Sequence, residues 1–109
     1  MSFAKRVAYN YHDAGLLGIT IGPRHEVTLH VVLDPVWNDG SARECHIRIG
    51  DIQNWEDAEA FFQQVPAARQ ADAHRDTIIR LGWTPGKDLE VELSQTGYLQ
   101  INRPKVTEK

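Results

Sequence analysis

One cysteine in 109 residues excludes both an intrachain disulfide and an all-cysteine metal site. No apolar stretch approaches the ~20 residues needed to cross a bilayer as a helix. The basic Lys5-Arg6 near the start is not followed by an apolar core, so no secretory signal is expected. Neither sign of charge dominates: 12 Lys and Arg against 15 Asp and Glu leave a formal charge of −3. That argues against non-specific nucleic-acid binding, which needs a dense cationic surface. The chain also lacks the G-x-S-x-G elbow, any phosphate loop and any H-x-x-x-H spacing. These gaps lead to the expectation of a cytoplasmic protein without metal or cofactor and with no membrane or nucleic-acid partner. More often than not such a protein is no enzyme.

What the chain does contain is alternation. From Ala14 to Ile49 three segments place apolar residues at every second position, the mark of strands with one face buried. Strand one is expected at Ala14–Ile21, with Leu17, Ile19 and Ile21 as its apolar row. Strand two, His25–Leu33, turns Val27, Leu29, Val31 and Leu33 inward and Thr28, His30 and Val32 outward. Asp34-Pro35 stops it, because proline donates no hydrogen bond and restricts the residue before it. Residues Pro35–Ala42 read as a turn-rich loop, and Arg43–Ile49 as strand three, with Cys45, Ile47 and Ile49 inward. The connections are too short for crossover helices, so the three strands form an antiparallel meander.

The period then lengthens. Asn54 is a suitable N-cap, answered by Asp57, and Ala58, Phe61, Phe62 and Val65 follow at helical spacing. A helix is therefore expected over Trp55–Val65, broken by Pro66. Ala68, Ala71, Arg75, Ile78 and Ile79 suggest a second helix capped by Gly82, with a short strand at Thr77–Leu81 as the alternative. Trp55 and Trp83 flank these helices and would seal the core at its edges. Leu89, Val91 and Leu93 alternate with Glu90 and Glu92, and Tyr98–Ile101 returns as a closing hairpin. The expected fold is a single α+β domain over residues 1–109. It has two layers: about five mostly antiparallel strands, and a helix or helix pair on one face. Residues 1–10 are expected to form an arm and 103–109 a frayed tail. The covered face would collect Leu17, Ile19, Val27, Leu29, Val31, Ile47, Ile49, Val91, Leu93, Leu99 and Ile101.

Few residues suggest chemistry. His30 and His46 lie on outward faces, and a suitable register would set them side by side with Glu44 and Arg48 flanking. His12-Asp13 read as neighbours on a strand, pointing to opposite faces and so unable to act as a dyad. Trp37 sits among turn residues, with Asp34, Asn38 and Asp39 around it. A loop tryptophan is commonly a lid over the core, but it is also the residue most enriched at binding hot spots, and here it would carry an acidic rim suited to a cationic partner. Candidate contact residues are therefore Trp37, Asp34, Asp39, His30, His46 and Arg48.

The run Tyr11-His12-Asp13-Ala14-Gly15-Leu16-Leu17-Gly18-Ile19, with Glu26-Val27-Thr28-Leu29 and Ile47–Ile52 after it, resembles a loose group of small bacterial domains that open on H-D-[AS]-x-[LV]. Some similar domains are classed as immunity proteins of polymorphic toxin systems. The resemblance implies a β-meander, a helix and a closing hairpin, and it carries over no catalytic residue. Three readings follow. The first is a non-enzymatic, immunity-like protein-interaction module. The second is a small-molecule-binding domain or weak enzyme. The third is a homodimer whose self-contact is its main role.

Overall fold

A computed structural model describes residues 6–71 and 76–109 of the chain. The elements are β1 (Ala14–Gly22), β2 (Glu26–Val32), β3 (Glu44–Gly50), α1 (Trp55–Ala71), β4 (Thr77–Trp83), β5 (Leu89–Leu93), β6 (Gly97–Ile101) and β7 (Lys105–Glu108). A 3-10 turn, Pro35–Trp37, separates β2 from β3. All strands join one antiparallel sheet in the order β6-β5-β4-β1-β2-β3-β7. The fold is thus mostly β, with seven strands and, among the described residues, a single α-helix. This overturns the expected α+β arrangement of about five strands under a helix or helix pair.

The extra strands have identifiable causes. In β4 the register slips between Ile78 and Arg80, leaving Ile79 as a bulged residue that is 40% exposed. The bulge puts Ile78 and Leu81 on the same buried face three positions apart, which imitates helical spacing. The expected second helix therefore ends in a strand; its Asp72–Arg75 portion lies outside the described residues. Helix α1 itself runs past Pro66 to Ala71, forgoing one backbone donor instead of stopping there. The same re-phasing occurs in β1, where the register slips at Leu17. Leu16 is fully buried in its place and Ile21 is 37% exposed, so the expected Leu17 row is shifted at both ends. At the C-terminal end, the expected frayed tail is a strand: Val106 lies opposite Ile49 and Glu108 opposite Ile47 on β3.

The sheet cannot be flat. Its two edge strands, β6 and β7, are joined only by Asn102, Arg103 and Pro104. That connector reaches at most ~15 Å, whereas a flat sheet of seven strands would separate the edges by ~29 Å at ~4.8 Å per spacing. The sheet therefore curls, and α1 packs from the central strand β1 to the edge strand β6. Ala58, Phe61, Phe62 and Val65 face inward from α1 onto Leu16, Leu29, Ile47, Ile78, Leu89 and Ile101, all buried. Trp55 and Trp83 are partly buried against the same core. Asn54 does not cap the helix with its side chain. Its carboxamide instead donates to the Gln100 carbonyl (2.9 Å) and accepts from the Asn102 N–H (2.9 Å). One group lies on β6 and the other just past its end, where a neighbouring strand would engage them.

Two carboxylates absent from the sequence reading hold the curl. Asp76 is fully buried at the start of β4. Its side chain accepts from the Thr77 and Gln95 N–H groups and from the Ser94 and Thr96 hydroxyls, at 2.8–3.0 Å. Its carbonyl takes the Leu16 N–H (2.9 Å) at the seam where β1 and β4 pair over only two positions. Glu108, turned inward on β7, accepts from the Tyr11 hydroxyl (2.5 Å) and the Ala8 N–H. Burial, then the bond to Glu108, pushes the Tyr11 phenol well above its ordinary value.

Replacing Asp76 by Ala strands several buried donors and is expected to cost on the order of 3 kcal/mol in urea unfolding. Tyr11 sets an alkaline limit. Its folded-state value is raised, so its contribution is intact below the unfolded tyrosine value of about 10 and is lost as pH rises beyond it. Tyr11→Phe is expected to flatten the decline in stability above that pH, as followed by thermal melts in alkaline buffers.

Candidate functional site

The six candidate contact residues fall into two clusters. The first lies on the outer face of β2 and β3. Because neither strand is bulged, His30 and His46 stand directly opposite, with rings stacked at 4.3 Å and 7° between planes. Glu44 Oε1 lies 3.0 Å from His30 Nε2. Arg48 is turned away from the histidines. Its Nη2 and Nε donate to Glu26 Oε2 at 2.7 and 3.0 Å. The Glu26 side chain reaches that position by lying across Gly22, where a Cβ would meet its Cγ at 2.7 Å. Among the described residues, no group of three or more His, Cys, Asp or Glu side chains is arranged to hold a metal. Cys45, on the inner face, is fully buried, and burial pushes its thiol upward, away from the reactive thiolate.

The second cluster surrounds the 3-10 turn. Asp34 caps the turn, its Oδ1 accepting from the Val36 N–H at 2.8 Å, and Pro35 supplies the fixed φ of the first position. Asn38 ties the turn to the segment before β1. Its amide donates to the Asn10 carbonyl (2.8 Å) and the Asp34 carbonyl (3.0 Å), and its oxygen accepts from the Asn10 N–H (3.2 Å). The Trp37 indole donates to Asp13 Oδ2 at 3.1 Å and meets the His12 ring edge-on at 5.0 Å. Trp37 is not a lid over the core: it is 47% exposed, and Val36 beside it is 82% exposed.

Asp13 makes this possible through its backbone. It lies in a turn with φ +63°, not in a strand. Adjacent side chains there need not diverge, and His12 Nε2 comes within 3.6 Å of Asp13 Oδ2, against the sequence expectation for this pair. The other imidazole nitrogen bonds the Ile79 carbonyl at 2.9 Å, on the β4 bulge. The result is an exposed apolar knob of Val36 and Trp37 whose base is fixed by His12, Asp13 and Asn38. Asp13, Asp34 and Asp39 form its rim. Beside it opens a shallow depression of about 310 Å³, lined by Tyr9, Asn10, Trp37, Asp39, Ser41 and Arg43. The Arg43 guanidinium lies 5.3 Å from the Tyr9 ring centre. Of the residues that build the knob, Val36 and Asn10 were not singled out in the sequence. The turn-forming run Asp34-Pro35 and Asn38-Asp39-Gly40 was the one signal available.

Because Val36 is so exposed, Val36→Ala is expected to change stability by less than about 0.5 kcal/mol. Asn38→Ala breaks three bonds that pin the turn and is expected to cost about 1–2 kcal/mol. Parallel thermal melts of the two variants check the contrast. Comparison of the chain with protein-family models, curated proteins and solved structures gave no match.

Proposed function

We propose that this protein is a protein-interaction module of the immunity-like, non-enzymatic kind, and that the Val36–Trp37 knob is its contact point. One observation carries the reading: a turn fastened by side-chain hydrogen bonds holds Val36 and much of Trp37 out in water. An exposed apolar residue on a loose loop costs little and signifies little. Here four side chains, Asp13, Asp34, Asn38 and His12, fix the turn that displays Val36 and Trp37. Such prior ordering reduces the entropy lost on association, and tryptophan is the residue most enriched among binding hot spots. The carboxylates of Asp13, Asp34 and Asp39 around the knob favour a partner with a basic surface, so association should weaken with added salt. The outer face of β2 and β3 supports the reading less strongly, since Glu44 and Glu26 already engage His30 and Arg48.

The test is capture from cells that naturally carry the chain. Wild-type bait is expected to retain a specific protein, and Val36→Asp and Trp37→Ala baits to retain it about tenfold less or worse. The Val36→Asp variant should melt within about 3 °C of wild type, which separates lost contact from lost fold. Equal capture by all three baits, or none above empty resin, overturns the proposal.

A further inference from the structure

The connector between the edge strands is strained. Arg103 has φ +42° and directly precedes Pro104. A side chain at positive φ crowds its own backbone, and a following proline independently pushes a residue toward the extended region. Side chains elsewhere keep the bend shut: Asp88 Oδ1 accepts from the Arg103 N–H (3.0 Å) and Asn54 Oδ1 from the Asn102 N–H (2.9 Å). Beyond the bend, β7 is four residues long and, among the described residues, pairs only with β3. Its further fastenings are an exposed Lys105–Asp51 pair (3.2 Å), the mutual backbone bonds of Lys109 and His46, and the grip of Tyr11 and Ala8 on Glu108. Every one of these contacts joins β7 to a surface that a second copy of the chain also presents.

We infer that β7 exchanges between two copies of the protein. The connector straightens, and β7 of each chain lies along β3 of the other. All contacts of β7 are then remade across the two chains. Exchange relieves the backbone at Arg103, which gains the extended conformation preferred before proline. Opposing it are the entropy of joining two molecules and the loss of the Asp88 and Asn54 bonds that hold the bend, so the dimer is favoured by high protein concentration. Interconversion is slow, because β7 must leave β3 and Glu108 must leave Tyr11 before a new partner is found.

Arg48 and Thr107 face each other across β3 and β7 on the outer surface, a placement compatible with a disulfide. Two chains are made in a Cys45→Ala background, one with Arg48→Cys and one with Thr107→Cys. They are mixed at high concentration, incubated, and oxidised with glutathione disulfide. A covalent heterodimer is expected, and introducing Arg103→Gly into both chains is expected to lower its yield about tenfold, equivalent to 1.4 kcal/mol. A single chain carrying both cysteines serves as control, since it should close its bond internally at low concentration. If the control closes and no heterodimer forms, exchange is refuted. An unchanged yield with Arg103→Gly refutes the strained connector as its cause. Should the control fail to close, light scattering of the wild-type chain decides: a concentration-dependent dimer that Arg103→Gly diminishes upholds the inference, and a monomer at every concentration overturns it.

Discussion

The short reach of Asn102–Pro104 governs this fold. Three residues cannot bridge the width of a flat seven-stranded sheet, so the sheet must bend until its edges approach. Bending has to be absorbed somewhere, and the β1–β4 seam absorbs it. Pairing there is reduced to Ala14–Ile78 and Gly15–Thr77, and a bulge lies just beyond it on each strand. Helix α1 then occupies the inside of the curve, and its Phe61 and Phe62 complete a core that no single strand face could close. Asp76 makes the thin seam tolerable, because four donors converge on one buried carboxylate where ladder bonds run out.

The surface divides into a self-satisfied part and an unsatisfied one. Across the outer face of the sheet, polar groups are matched locally: His30 with Glu44, Arg48 with Glu26, Lys105 with Asp51, and the Tyr98 hydroxyl with Glu90. Exposed pairs of this kind add little stability, but they leave little net field to attract a partner. The turn at Pro35–Trp37 differs. Asp34, Asn38 and Asp13 fasten it, while Val36 is largely uncovered and about half of Trp37 is left open to water.

Strands β2, β3 and β5 could be read from the sequence because each alternates without interruption. The juxtaposition of His30 and His46 needs the register as well, which alternation leaves open and the pairing of β2 with β3 sets. Where a bulge intervenes, the inside–outside rule loses phase. Leu16 replaces Leu17, and Ile78 with Leu81 takes on a helical period, so the sequence favours a second helix there and offers the strand at Thr77–Leu81, which is what forms, only as the alternative. Strand β7 escaped notice for another reason: Lys105–Glu108 has a single aliphatic residue, Val106, and its inward glutamate looks like a solvent position. Trp37 stands out in the sequence as a tryptophan among turn residues, but its exposure depends on bonds from Asp13 and Asn38, which sequence distance conceals. The His12–Asp13 approach depends on one backbone angle that residue type does not dictate.

Asn54 occupies the edge of β6 with a donor and an acceptor where a peptide group of another strand would sit. The plug works because one carboxamide carries both roles at once. A carboxylate in its place would set two acceptors, its own oxygen and the Gln100 carbonyl, in opposition, and only the Asn102 N–H would stay engaged.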